Sequence, residues 1–125
     1  MAKHMMIVVS NAVQGKEEEF HDWYSNRHIH DVVDKLDGFV AAQRFELSAT
    51  QVDGEDPPNQ RFLAVYEVDD DQLAQAQQAI AWQREEREQA LSEGREPLLD
   101  VSPAIAEHHS WFFTALTEQY RGEDA

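Results

Sequence analysis

The densest set of residues able to do chemistry is one stretch: Phe20, His21, Asp22, Trp23, Tyr24, Arg27, His28, His30 and Asp31. On a helix, at about 100° per residue, Phe20, Tyr24, His28 and Val32 form one slowly drifting ridge with Trp23 on its flank. His28 then lies beside the apolar face, partly desolvated and flanked by aromatic rings. That environment holds a neutral imidazole ready to take or give a proton near neutral pH. Tyr24, one turn away, is placed to share a hydrogen bond, and Asp31 at i+3 to orient the ring. The plainer alternative is a helix histidine bonded to a neighbour or to water. His30 projects away from Val32, toward solvent. His21 and His28 do not make the i, i+4 zinc pair of a metalloprotease helix, and no metal is expected.

Further candidates lie on strands. Arg44 shares a face with Val40 and Ala42, where it is either an ion-pair partner or an anion clamp for a carboxylate or enolate. Tyr66, among Phe62 and Ala64, is either a hydroxyl donor inside a pocket or a core tyrosine. His109 has the parity of Trp111 and Phe113, and His108 the opposite one; Trp111 and His109 are taken as the substrate-facing pair. A later helix carries Leu73, Ala76, Ile80, Arg84, Arg87 and Leu91 on its inner stripe, with Trp82 opposite. Its two arginines read as snorkelling or acid-paired in preference to ligand-binding. No glycine-rich phosphate loop follows a strand and no G-x-S-x-G elbow occurs, which disfavours nucleotide-dependent hydride transfer and P-loop chemistry.

The elements that must position these residues are legible. Met5–Ser10 is a continuous apolar run and predicts a strand. Lys16 to about Leu36 predicts a helix, opened by Glu17, Glu18 and Glu19 and stopped near Gly38. Phe39–Leu47 and Arg61–Val68 predict strands, separated by a long loop, Ser48–Gln60, with Gly54, Pro57 and Pro58. Asp69, Asp70 and Asp71 offer caps for a second helix, running to about Glu93 before Gly94. After an irregular connection with Pro97 and Pro103, His108–Thr117 predicts the last strand. The order β-α-β-β-α-β is the ferredoxin-like α+β unit with a four-stranded antiparallel sheet.

These strands do not alternate apolar with polar residues, as a sheet with one wet face should. Met5, Ile7 and Val9 oppose Met6 and Val8; Leu63 and Val65 oppose Phe62, Ala64 and Tyr66; Trp111, Phe113 and Ala115 oppose Phe112 and Leu116. Helices cover one face only, and each large side chain gains roughly 1.5–3 kcal/mol on burial. A second copy of the same sheet is the simplest cover, so a homodimer packed sheet to sheet is expected, with cover by the Ser48–Gln60 loop as the alternative.

Composition narrows the function further. The chain has 125 residues, 25 acidic against 10 basic, for a net charge of −15, and no cysteine. One domain is expected, with a core over about 5–118, a cloning remnant at 1–4 and a frayed tail at 119–125. The acidity disfavours nucleic acid and anionic membranes. No apolar run approaches a membrane span or a signal peptide, so a cytoplasmic location is expected.

The run EEFHDWYSNRHIHDVVDKLDGFVAAQRFEL, followed by FLAVYEV, resembles the dimeric α/β-barrel superfamily, and most of all its small EthD-like members. Phe20, Trp23, Tyr24, His28 and Ile29 fit the helix pattern, Gly38 and Phe39 the turn, Arg44 and Phe45 the second strand, and Tyr66 the third. His30 stands where proline is usual and Phe45 where tyrosine is common. The resemblance implies a homodimeric barrel with a pocket in each protomer between helices and sheet. It covers isomerases, cyclases, dehydratases, monooxygenases and haem enzymes, so it implies the fold better than the reaction. The leading expectation is a cofactor-independent isomerase, lyase, cyclase or dehydratase acting on a small cyclic or aromatic-derived metabolite. His28 would be its acid/base, with Tyr24, Asp31, Arg44 and Tyr66 supporting it. Trp23, His30, His109 and Trp111 would contact the substrate. The alternatives are a monooxygenase, a haem-binding or haem-degrading protein with His28 or His109 as ligand, and a non-catalytic binding dimer.

Overall fold

A computed structural model describes residues 3–123. Strand β1 (His4–Ala12) leads into α1 (Glu17–Trp23), a π-helical turn over Tyr24–His28, and α2 (Ile29–Lys35). Strands β2 (Phe39–Glu46) and β3 (Phe62–Val68), helix α3 (Leu73–Glu93) and strand β4 (Ile105–Thr114) follow. The sheet order is β2-β3-β1-β4, antiparallel throughout, so the ferredoxin-like expectation holds.

The elements form for local reasons. Glu17, Glu18 and Glu19 occupy the first turn of α1, where the helix dipole favours acid, and Glu17 accepts a hydrogen bond from the Gly15 N–H at 3.1 Å. Gly94, at φ +70°, terminates α3 in a left-handed cap. Gly38, at φ +91°, is also required for space: a Cβ there would lie 3.0 Å from Ala76 Cβ and from the Gln72 carbonyl oxygen. Its lack of a side chain lets the start of α3 press onto the α2–β2 corner.

Four expectations about elements need correction. The aspartates at 69–71 do not cap α3; Gln72 holds the cap position without a side-chain bond, and Asp70 instead accepts from the Lys3 backbone N–H. Strand β4 begins at Ile105, three residues before the predicted start, because Ala12 pairs with Ile105 across a register shift in β1. Strand β1 runs from His4 to Ala12, beyond the predicted Met5–Ser10 at both ends, with His4 paired to Val68 and Thr114. Finally, a bulge in β2 between Phe39 and Ala41 expels Val40, so Arg44 shares its face with Ala42 and Phe39.

Register sets the two faces of the sheet. Met6, Val8 and Ser10 of β1 and Phe62, Ala64, Tyr66 and Val68 of β3 lie under the helices, packed with Phe20, Tyr24, Val32, Leu36, Ala76 and Ile80. The other face carries Met5, Ile7, Val9, Leu63, Val65, Phe45, Trp111 and Phe113. It stays uncovered in the protomer: Trp111 is 51% and Phe113 54% exposed. The loop at 48–60 does not cover it, and Val52 at that loop's tip is 77% exposed.

Candidate active site

The π turn delivers the central histidine. Residues 24–28 widen the helix by one residue per turn, a feature that recurs at functional sites. Ser25 and Asn26, both indifferent helix formers, sit inside it, and Asn26 donates back to Asp22 at 2.8 Å. Within this turn the Tyr24 ring is buried and meets the His28 ring edge-on at 5.1 Å. Trp23 stacks on His28 at 4.5 Å with 22° between the planes.

His28 lines a cavity of about 70 Å³ between α1, the π turn, α3 and the sheet. Trp23, Tyr24 and Val32 wall it from the first helical run, and Met6, Val8, Tyr66 and Ser110 from the sheet. Ile80, Gln83, Arg84 and Arg87 of α3 close it, with Val101, Ile105 and His108. Three buried polar atoms lack a hydrogen-bond partner among the described residues: Trp23 Nε1, His28 Nδ1 and the Tyr66 hydroxyl. All three residues line this one cavity. An unpaired buried polar atom costs about 1–3 kcal/mol, so three in one place mark a site shaped for something other than packing.

Electrostatics follow from burial. The His28 pKa is pushed down from 6.5 to about 4, first by burial, with Asp31 opposing and His108 and Arg87 adding to the drop. The imidazole is therefore neutral at physiological pH. Burial raises the Tyr24 phenol, and raises Tyr66 well above the ordinary value with the Tyr24 phenol adding to the effect. Both remain protonated donors. His108 is held below its usual range by burial and by Arg87 and Arg84.

The structure brings together His28, Tyr24, Tyr66 and Trp23 from the sequence-derived set, and separates the rest. Asp31 makes no hydrogen bond to His28 Nδ1; its largely buried carboxylate is 3.3 Å from Lys35 Nζ and 3.9 Å from Arg27 Nε and acts on His28 through its charge. Arg44 lies behind Tyr24, its guanidinium 4.5 Å from that ring's centroid, donating to Ser25 Oγ at 2.8 Å and set 3.2 Å from His21 Nδ1. With His21, Phe45, Glu46 and Phe62 it lines a separate surface hollow at the β2 edge. His30 is exposed beside Val33 and Ala41. His109 and Trp111 stack on each other, centroids 6.0 Å apart, on the uncovered sheet face, and His109 pairs with Glu107 at 3.2 Å. The pairing of Ser110 with Val8 explains this: it assigns the even residues of β4 to the helix face, so His108 enters the cavity and His109 does not. Arg84, Arg87 and His108, none of them among the leading site candidates of the sequence, also line the cavity. The signal for the arginines was visible, two cations on an otherwise apolar helix stripe.

Among the described residues, no group of three His, Asp or Glu side chains is placed to hold a metal ion, and no helix is long and apolar enough to cross a membrane.

No protein-family model matches the chain, and no curated protein sequence matches it. Solved structures do. The haem-degrading protein MhuD of Mycobacterium tuberculosis, solved with two haems in its active site, is 15% identical at TM-score 0.51, covering 94% of this chain and 99% of that one. An EthD-like protein of Ralstonia eutropha is 15% identical at TM-score 0.52, covering 100% of both chains. A monooxygenase of Streptomyces coelicolor, solved in complex with nanaomycin D, is 12% identical at TM-score 0.50, covering 97% of this chain and 94% of that one. These likenesses establish the fold, and the ligands belong to the proteins that hold them.

Proposed function

We propose that this protein is an enzyme that moves a proton at the His28 imidazole, acting as an isomerase, lyase, cyclase or dehydratase on a small cyclic or aromatic-derived metabolite. The observation that carries this reading is the convergence of three unpartnered polar atoms, Trp23 Nε1, His28 Nδ1 and Tyr66 Oη, on one cavity. A neutral imidazole accepts a proton from a carbon beside a carbonyl, or from a ring hydroxyl. The oxygen of that substrate gains negative charge as the proton leaves. The Trp23 N–H is a donor without a partner, and the Tyr66 hydroxyl has only the neighbouring Tyr24 oxygen to compete for it, which suits both to that developing charge. Stacking on Trp23 and edge contact with Tyr24 fix the plane of the imidazole.

The test is deuterium wash-in. Cyclic ketones, lactones and hydroxyquinones are incubated with the enzyme in deuterated water, and exchange is followed by NMR. Exchange at an acidic position that is lost in His28→Asn is expected; equal exchange by both proteins would remove His28 from the mechanism.

An oxygenase is the second reading, favoured by the structural likeness to a monooxygenase and by the aromatic walls of the cavity. It shares the first step, since deprotonating a phenol yields the electron-rich ring that dioxygen attacks. Oxygen uptake in the same incubations separates the two. No step here runs through a haem.

Two copies packed through their uncovered sheet faces complete the proposal. The support is the half-exposed apolar surface of Met5, Phe45, Trp111 and Phe113. Sedimentation of a single species at the monomer mass at micromolar concentration would refute the pairing.

A further inference from the structure

The mouth of the cavity differs in charge from the rest of the molecule. The chain carries a net −15, and three of its seven arginines pair with carboxylates among the described residues. Arg27 reaches Asp31 and Asp100, Arg61 reaches Glu46, and Arg95 reaches Glu86 and Glu93. Arg84 and Arg87 have no carboxylate at ion-pair distance among the described residues, although Glu85 and Glu88 are close in sequence. Both line the cavity. Arg87 is partly buried there. Arg84 is held against the sheet by its Nη2, which donates to Ser110 Oγ at 2.9 Å, so its position is set without an anion.

The acids that act on His28 are Asp31 and Asp100, and both face cations: Lys35 and Arg27 lie 3.3 and 3.9 Å from Asp31, and Arg27 lies 3.5 Å from Asp100. On the opposite side Arg84 and Arg87 face the cavity with no such carboxylate among the described residues. Arg84 is exposed and Arg87 partly buried, so an anion arriving at the mouth meets two guanidinium groups at a small desolvation cost. Next to them stands His108, on the helix face of β4 and lining the same cavity. Two guanidinium groups at one end, one of them held by Ser110, and a neutral imidazole with two unpaired donors at the other define a ligand with two unlike ends.

We propose that Arg84 and Arg87, with His108 beside them, bind the carboxylate of an anionic substrate and so hold its reacting part against His28. The inference rests on reading this cavity as the substrate site. It narrows the substrate class to small cyclic acids, in which a ring carries a carboxylate away from the acidic position. Guanidinium groups suit this role because their N–H pairs match the two oxygens of a carboxylate. The ring of such a ligand meets Trp23, Val8 and Ile80.

The test compares benzoate with benzamide, its uncharged isostere, on the intact protein, followed by NMR shifts of the Trp23 indole N–H and by calorimetry. Benzoate is expected to bind at least about tenfold more tightly, with affinity falling as salt is raised. In the double variant Arg84→Gln, Arg87→Gln that preference disappears while the melting temperature holds. Arg87→Lys restores part of it in the Arg84→Gln background. Equal affinity for the two probes, no perturbation of the Trp23 N–H by benzoate, or a preference that survives the double substitution would each overturn the inference. His28→Asn separates the inference from the reading beneath it. A variant that keeps the benzoate preference and the exchange activity refutes proton transfer by His28 and leaves the anion clamp standing. Loss of exchange without any charge preference does the reverse.

Discussion

The two faces of the sheet are built from the same four strands and have opposite fates. One residue apart, the row Ala42, Tyr66, Met6 and Phe112 faces the helices, and the row Gln43, Val65, Ile7 and Trp111 faces away. Both rows are largely apolar. Under the helices, Met6 and Tyr66 are almost fully buried; on the other face Trp111 is half exposed. The covered face nonetheless contains the unsatisfied polar atoms. A covered face that only packed would have shed them, since replacing such a group by an apolar one of the same shape is neutral or stabilising. The uncovered face has the composition of an interior without an interior's neighbours. On the reading proposed above, one face gives up some packing for chemistry, and the other keeps its apolar surface for association.

The largest expected effect breaks the first half of that contrast. His28→Asn keeps a planar polar side chain of similar reach and removes the titratable nitrogen. Turnover on an identified substrate should fall about 10²–10⁴-fold, the usual worth of a positioned acid/base, with the circular dichroism and melting temperature little changed. Unchanged turnover would make the covered face structural.

The second half is broken by Trp111→Glu. This residue opposes Ile7 near the middle of the uncovered face. Two like charges would meet apolar surface across a paired interface, and association should weaken by about 100-fold or more. Sedimentation equilibrium reads this directly. If the protein is a monomer beforehand, or if Trp111→Glu leaves the dimer intact, the uncovered face is not the interface.

How much of this was legible in the sequence divides along the same line. Strand positions and their double-sided apolar character were readable because alternation is a local property. The ridge of Tyr24 and His28 was readable because residues four apart stay neighbours even through the π turn. Arg44 lies outside the cavity because parity along one strand does not give distance across the sheet. It stands on edge strand β2, two strand spacings or roughly 10 Å from β1, with the Tyr24 ring between it and the cavity. His109 and Trp111 were misplaced because β4 is apolar on both sides, and only the pairing of Ser110 with Val8 decides which side the helices take. Asp31 failed because Lys35 and Arg27, each four residues away, compete for its carboxylate. Arg84, Arg87 and His108 reach the site from sequence-distant elements that only the tertiary fold brings to His28.

Burial of His28 sharpens the comparison through pH. Its pKa falls from 6.5 to about 4 on folding, so the unfolded chain takes up the proton first as pH drops. The stability held by the neutral buried ring is complete above about pH 6.5. It is lost progressively as pH falls toward 4, by on the order of 2 kcal/mol. Urea titrations across this window should show the slope in the wild type and a smaller one in His28→Asn.

The smallest effect is the most discriminating. Tyr66→Phe deletes one hydroxyl, keeps the ring in contact with Phe39 at 6.0 Å, and removes a buried donor that has no partner. On a face selected only for packing, this substitution is a gain with no penalty: about 1 kcal/mol of added stability and nothing else. On a face that holds a substrate oxygen, the same gain comes with about a tenfold loss of turnover, because the donor aimed at the developing charge is gone. Stability rising while activity falls is the signature of a group kept for the reaction. Stability falling instead would mean that the hydroxyl is bonded in the resting protein, through ordered water, and the site would then be read as a hydrated core and not as a preorganised one.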